Sequence, residues 1–372
     1  MTSPRVEVNL DKIRLNTRCL VDRLKPRGIT VTAVTKAVCG RPSIAQAMLD
    51  GGAVGLAEAR ISNVQRLRRA GLTCPISMIR SPMLSQVDQV IQSCDVSYNS
   101  ERVAIAALAE AAVRAGTTHS IVLMVEMGDR REGIMPEDLA ALAQNVISLP
   151  GVVLWGIAAN FACLSGVGPN ADTMRKFSNL ATQTEGICGP FLATVSGGNS
   201  ASLSWALGSS PSLRINNLRL GEAILLGKDP MSGEDIGGLY RDAFTLVIEV
   251  IETKHKPDQV AVMVADPVLK SLRLLPAENH LRSIVALGRQ DTEIEGLSFP
   301  EGTDFLGATS DHMVIRNRTT PMPVGSELRL GMNYEALMRI MAAPDTVMEY
   351  IGSSNGSVSL QTKRSDPCLH LV

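Results

Sequence analysis

VTAVTKAVCG, residues 31–40, decides how the rest of the chain is read. An apolar run from Val31 to Thr35 leads directly into Lys36 and then a turn that ends at Gly40. Continuous apolarity closed by a turn suits a strand covered on both faces, as in a parallel sheet. Upstream, a helical pattern begins near Asp11 and runs through Ile13, Leu20, Val21 and Leu24. Downstream the alternation repeats. Strand-like runs at VGLAEA (54–59), PISMI (75–79), DVSYN (95–99), IVLMVEM (121–127), VVLWGIAA (152–159), FLATVS (191–196) and LRINNLR (213–219) are separated by helical patterns. One helix starts after Ser43 and stops at Gly51. Another covers about 58–70 and stops at Gly71. A third, SERVAIAALAEAAVRAG, has Ser100 as its N-cap and Gly116 as its C-terminal stop. Eight strands alternating with helices predict a (β/α)8 barrel over residues 10–230. An open doubly wound sheet is the competing architecture, but no GxGxxG follows the first strand.

Beyond residue 230 the pattern changes. AFTLVIEVIETKH (243–255), RSIVALG (282–288), DHMVIRN (311–317) and GSELRLG (325–331) read as strands separated by Gly, Pro and charged turns. They predict a mainly β second domain over 231–372. The N-terminal strand, within residues 1–9 and opening RVEVNL, is placed with it.

A chain of 372 residues suits two domains. With 45% hydrophobic and 20% charged residues it has the balance of a globular protein. A net charge of −1 gives no footprint for nucleic acid or an anionic membrane. No apolar run approaches the roughly 20 residues of a membrane helix, and MTSPRVEVNLDKIR carries no secretory h-region. A cytoplasmic location is the expectation. The seven cysteines are odd in number and show no CxxC spacing. They predict reduced, mostly buried thiols, with neither a disulfide framework nor a metal site.

Three elements carry chemistry. Lys36 ends the first barrel strand, and barrels place their active sites at the C-terminal ends of strands. A partly buried strand end can activate an amine by desolvation, although a lysine there is more often only an exposed charge. SGGNS (196–200) follows the seventh strand; Ser196 opens it, Gly198 lets the backbone approach an anion, and Ser200 adds a hydroxyl. Taken alone it is equally a plain turn. Arg219, Gly221 and Glu222, in NLRLGEAILLG, end the eighth strand and open a short helix. A lysine on strand one facing a phosphate cradle at strands seven and eight suits a phosphorylated aldehyde, and pyridoxal 5'-phosphate (PLP) is the candidate.

AVTK, GDRREGI (128–134), SGGNS, NLRLGE and GRQD (288–291) together resemble the alanine racemase superfamily. SYNSE (97–101), GIAANFAC (156–163), LLGKD with GED (225–235) and LGATSDH (306–312) extend the resemblance over nearly the whole chain, nearest to its ornithine racemase branch. No single motif decides it; their order and spacing do. The resemblance implies a barrel plus a β domain, forming a homodimer with shared sites. It implies that Lys36 holds PLP as a Schiff base and serves as one of two proton-transfer groups. Arg219 would face the pyridine nitrogen, where a permanently protonated guanidinium keeps that nitrogen unprotonated. Ser200, with Gly221 and Glu222 through their backbone, would hold the phosphate. Arg131 matches the family arginine near the cofactor hydroxyl and substrate carboxylate, with Arg130 beside it as the alternative.

The sequence departs from alanine racemase itself in two places. Gly288-Arg289-Gln290-Asp291 stands where that enzyme has Gly-Tyr-x-Asp, so the place of the tyrosine base is vacant; Asn160 replaces a histidine that stacks on the cofactor. Two candidates for the second base are His312, in TSDHMV, and Tyr334, in GMNYEALM. The expected reaction is interconversion of L and D amino acids. The resemblance favours ornithine or another basic amino acid, whose distal ammonium needs a carboxylate such as Asp291, Asp311 or Asp129. Another PLP reaction on the same fold, a decarboxylation or aldol cleavage, and a PLP-binding protein without turnover are the alternatives. The β domain argues against the last, since it is expected to help close the site in a dimer. Asp311 and His312, being adjacent, are poorly spaced as metal ligands.

Overall fold

The computed structural model describes residues 3–189, 191–257, 279–318 and 320–352. The chain opens with β1 (Arg5–Asn9) and α1 (Leu10–Leu24), followed by β2 (Thr30–Val34), α2 (Pro42–Asp50), β3 (Gly55–Glu58), α3 (Ile61–Arg69), β4 (Ile76–Met78), α4 (Val87–Ser93) and β5 (Val96–Asn99). It continues through α5 (Arg102–Arg114), β6 (His119–Val125), α6 (Leu139–Ser148), β7 (Val152–Ala159), α7 (Ala171–Cys188), β8 (Thr194–Ser196), the short α8 (Leu203–Ala206), β9 (Asn217–Leu220) and α9 (Glu222–Leu226). Strands β2 to β9 form a closed barrel in sequence order, all pairs parallel. The closure is visible at Thr32, which pairs with Gly55 on one side and Arg219 on the other.

Local chemistry sets the helix boundaries. Asn9 caps α1, its side chain accepting from the Lys12 N–H at 3.0 Å. Ile13, Leu20 and Leu24 then fall on the buried face. The second helix starts at Pro42, suited to a first turn that needs no N–H, and so already includes Ser43, the residue after which the sequence pattern places its start. The capping position of α5 is Glu101, with extended backbone, rather than Ser100. Strands seven and eight are shorter than the apolar runs suggest. The Asn216 side chain accepts from the Val195 N–H at 2.8 Å and donates to the Ala193 carbonyl at 2.9 Å. A side chain thus satisfies groups that a longer strand would otherwise pair.

Helices and strands share one large core, with Phe177, Ile13, Leu20 and Ile44 among its fully buried members. A second cluster, Tyr98, Val122, Met124 and Ala158, is contributed by β5, β6 and β7. Alternation along the strands turns these side chains away from the helix layer and into the barrel.

After the barrel come β10 (Phe244–Pro257), β11 (Asn279–Val285), β12 (Leu297–Ser298), β13 (Thr303–Ala308), β14 (Met313–Asn317), β15 (Glu327–Met332), α10 (Tyr334–Ala342) and β16 (Val347–Ile351). They form a mainly antiparallel sheet in the order β12-β15-β10-β11-β14-β13. β1 joins it, antiparallel to β10 and parallel to β16. Arg5 fixes this junction: it is buried and pairs with Glu7, Glu327 and Glu349. Helix α10 leaves the sheet and packs against a 3-10 turn, Lys36–Val38, that follows β2.

The cysteines differ from expectation. Among the six described, only Cys94 is buried; Cys19, Cys39, Cys74 and Cys188 are half-buried and Cys163 is exposed. Cys163 sits in the loop after β7, where the chain has left the core. Cys368 lies outside the described residues. No described helix is long and apolar enough to cross a membrane.

Candidate active site

The C-terminal ends of the barrel strands open onto a cavity of about 730 Å³. Lys36 lines it from the end of β2, Arg131 and Glu132 from the loop after β6, and Asn160 and Cys163 from the end of β7. Ser200 enters after β8, and Arg219, Gly221 and Glu222 from the end of β9. Asn333 and Tyr334 close it from the second domain. Lys36 is exposed to the opening, not enclosed in the partly buried strand end expected from the sequence.

Arg219 forms the floor. It is only 3% exposed, and its guanidinium lies over the Tyr98 ring of the barrel interior. Nη1 donates to Ser196 Oγ at 2.6 Å; Nη2 donates to the Ala159 carbonyl and to Asn160 Oδ1, both at 2.7 Å. Burial pulls its pKa down, opposed mainly by Tyr98, but a guanidinium remains a cation. The network continues upward. Asn160 Nδ2 donates to Glu132 Oε1 at 3.2 Å, and Glu132 Oε2 pairs with Arg131 Nε at 2.9 Å. One wall of the cavity is therefore a connected chain from Arg219 to Arg131. Ser196 supports it from below rather than lining the cavity. Arg130 is exposed outside the lining, with φ of 57°.

The opposite corner is built from glycine and serine. Gly198 has φ of +110°, and a Cβ there would stand 2.5 Å from Ser202 Oγ and 2.9 Å from the Phe161 ring. Only glycine fits. Ser200 Oγ accepts the Ala223 N–H at 3.2 Å, which leaves its own proton free to donate. A Cβ on Gly221 would meet Val34 at 3.1 Å, so that turn lies tight on the first strand.

Tyr334 is the first residue of α10. Asn333 caps the helix, accepting from the Ala336 N–H at 2.9 Å, and its own N–H donates to the Gly296 carbonyl at 2.8 Å. Burial, with the Glu222 charge adding, raises the Tyr334 phenol above its ordinary pKa. Glu222 is itself raised by burial and by Asp229, with Lys36 opposing.

The other candidates stand elsewhere in this chain. Asp311 is exposed and His312 half-buried on the turn between β13 and β14, Nδ1 lying 3.0 Å from Oδ1. Asp291 Oδ2 accepts from the Gly288 N–H at 2.9 Å, closing its own turn. Asp129 is buried beneath Arg131 and accepts from the Leu164 N–H at 3.0 Å. None of the four lines the cavity; the carboxylates that do are Glu132, Glu222 and Glu335. Sequence reading missed Glu132 and Cys163 as lining residues. Both lay inside the quoted motifs GDRREGI and GIAANFAC, so their positions carried the signal.

A closed parallel barrel with a lysine at the first strand end and a glycine-serine corner after the seventh and eighth defines a two-domain enzyme of the barrel racemase fold. The chain belongs to the alanine racemase family: residues 8–229 match the family's N-terminal domain, "Alanine racemase, N-terminal domain". It is 30% identical over 341 residues to an ornithine racemase of Acetoanaerobium sticklandii, covering 90% of this chain and 96% of that one. It is 32% identical over 349 residues to a lysine racemase of Thermotoga maritima, covering 92% and 97%. Among solved structures, the alanine racemase of Streptomyces lavendulae superposes with a TM-score of 0.76 at 21% identity, over 95% of this chain and 99% of that one. D-threonine aldolase from Filomicrobium marinum gives 0.73 at 15% identity, over 92% and 89%. Those two likenesses concern the fold alone.

Proposed function

We propose that this protein is a PLP-dependent racemase of basic amino acids, ornithine or lysine, with Lys36 as the cofactor lysine. The observation that carries the reading is the meeting, in one cavity, of the Lys36 amine, the Ser200–Gly221 corner and the buried Arg219. The residues fit the cofactor: an amine for its aldehyde, a free hydroxyl proton and tight glycine turns for its phosphate, and a fixed cation between them. PLP, when bound, supplies an aldehyde for amines and an electron-withdrawing ring that acidifies the substrate Cα–H.

Lys36 would bind the aldehyde, then take and return the Cα proton on one face. Arg219 would face the ring nitrogen; its guanidinium, held rigid by three of its five N–H groups, keeps its protons and has a donor left for a hydrogen bond only. Ser200 would hold the phosphate, with Gly221 and Glu222 through their backbone. Arg131 would bind the substrate carboxylate, while Asn160 keeps Arg131 and Arg219 in one network through Glu132. For the opposite face, Tyr334 already lines the cavity. His312 reaches a cavity only if it is another chain's. Asp291 and Asp311, placed with it in the second domain, are substrate contacts on the same condition. A homodimer with shared sites, in the cytoplasm, completes this reading. The identity to ornithine and lysine racemases supports a basic substrate.

Borohydride reduction of the purified protein with PLP, followed by peptide mass spectrometry, tests the cofactor site: the pyridoxyl mass is expected on Lys36. Chiral chromatography of ornithine, lysine and alanine tests the substrate. Faster turnover of alanine, or label on another lysine, overturns the corresponding part.

A further inference from the structure

We infer that Glu58, a buried carboxylate outside the cavity lining, is a positioning residue that sets Lys36 in place. The inference rests on the reading of Lys36 as the cofactor lysine. Glu58 ends β3, next to the strand that delivers Lys36, and is fully buried. Its Oε1 accepts from Thr35 Oγ1 at 2.8 Å. Its Oε2 accepts from the Ala59 N–H at 3.0 Å and from Asn63 Nδ2 at 3.1 Å. The Ala59 N–H and the Asn63 amide N–H can only donate, so Oε2 stands where an acceptor is required, and the Thr35 hydroxyl completes the set at Oε1. Burial pushes the Glu58 pKa up, and these same donors oppose that push.

Both ends of the segment that carries Lys36 rest on this carboxylate. Thr35 precedes Lys36 and is bonded to it directly. The turn then closes on itself: the Val38 and Gly40 N–H groups both donate to the Thr35 carbonyl at 3.1 Å. Gly40 returns onto the carboxylate, where a Cβ would stand 3.2 Å from Glu58 Oε1 and 2.8 Å from Asn63 Cβ. The Thr35 hydrogen bond before and the close packing of Gly40 after therefore seat the lysine's backbone on one buried carboxylate. A glutamine keeps an oxygen for the Ala59 and Asn63 donors only by turning its NH2 to Thr35, which removes the acceptor that the Thr35 hydroxyl donates to. Of its three donors, Thr35 belongs to the Lys36 segment and Asn63 packs against Gly40 at that segment's other end.

The test separates capture of the aldehyde from binding of the phosphate. Native protein, Glu58→Gln, Thr35→Val and Thr35→Ser are compared as full-length chains freed of cofactor. PLP reports covalent capture by Lys36; pyridoxamine 5'-phosphate, which has no aldehyde, reports non-covalent binding. Misplacing a reacting group slows its reaction by an order of magnitude or more, so Glu58→Gln and Thr35→Val should each slow capture at least ~10-fold. Binding of pyridoxamine 5'-phosphate should stay within about twofold, and kcat should fall while KM stays within about threefold. Thr35→Ser, which keeps the hydroxyl, should behave as native. Capture at the native rate in Thr35→Val, or a parallel loss of pyridoxamine 5'-phosphate binding, overturns the inference. If Glu58→Gln fails to fold, the Thr35 pair decides alone. Absence of label on Lys36 in the native chain overturns the cofactor reading instead, and this inference with it.

Discussion

The Arg219 guanidinium lies 5.0 Å from the centroid of the Tyr98 ring. The cation at the floor of the cavity is thus balanced by an aromatic face and by neutral oxygens, not by a carboxylate. A buried cation without a counter-ion does little for folding.

That balance predicts an uncommon mutant. Arg219→Met loses hydrogen bonds but also relieves a desolvated charge, so the cofactor-free protein should unfold in urea within about 1 kcal/mol of native. Racemisation should fall more than ~10-fold, because the donor to the ring is gone. A loss of several kcal/mol in the urea experiment would show that Arg219 holds the barrel together.

The glycine-serine corner should separate stability from affinity. Ser200→Ala removes a hydroxyl oriented by the Ala223 N–H. Its loss should weaken PLP binding about tenfold, while the Ala223 N–H left without its acceptor costs about 1 kcal/mol of stability. Gly198→Ala introduces a Cβ at φ +110° against Ser202 and Phe161, which should destabilise the protein by about 2 kcal/mol or more. Equilibrium dialysis and urea unfolding check the two arms; equal effects of both variants on affinity and stability would contradict this division.

Much of this site was legible because barrel strands deliver side chains by position. Lys36, Ser200 and Gly221 each follow a strand end that apolar periodicity locates, and Arg219 lies within the last such strand. Tyr334 reaches the cavity through α10, and nothing in its own stretch of sequence says where that helix packs. His312, Asp291 and Asp311 carry suitable chemistry, but residue type does not report distance, and in one chain they stand outside the cavity. Strands β8 and β9 came out short because the Asn216 side chain imitates backbone, which a hydrophobic pattern does not record.

His119 makes stability depend on pH. It is 2% exposed at the start of β6 and lies 2.9 Å from Ser97 Oγ through Nε2. Burial pulls its pKa from 6.5 down to about 4. Between those values the unfolded chain binds a proton that the folded chain refuses. Stability is therefore full above the ordinary histidine pKa and declines as pH falls toward 4, by on the order of 3 kcal/mol. Urea midpoints from pH 8 to 4.5 should show the slope in the native protein and a flatter line in His119→Gln. Parallel lines would remove His119 as the cause.

The Arg5 junction acts in a lower pH window. Arg5 bonds both oxygens of Glu327, at 2.6 and 2.8 Å, and Glu7 is shared with Arg329. Arg329 first and then Arg5 hold Glu7 below the usual carboxylate range, and Arg5 does the same for Glu327. This stability is present above the ordinary glutamate pKa of ~4.3 and is lost as pH falls through the depressed folded values. Arg5→Met should lower stability by about 2 kcal/mol at pH 7. It should also shrink the loss below pH ~4 to the part that Arg329 still holds through Glu7. An unchanged acid limb in that variant would place the acid sensitivity elsewhere.

The position of β1 has a consequence for synthesis. Strand β1, made before any barrel strand, lies between β10 and β16, and β16 ends at Ile351. On the ribosome the whole barrel emerges while its leading strand still lacks both neighbours. Until then its backbone groups are an open edge, available to other chains. The pairings of β1 with β16 join residues more than 330 positions apart, a slow step for any polypeptide. Nascent chains released before β16 is made should therefore be captured by chaperones, even though the barrel's own residues are complete.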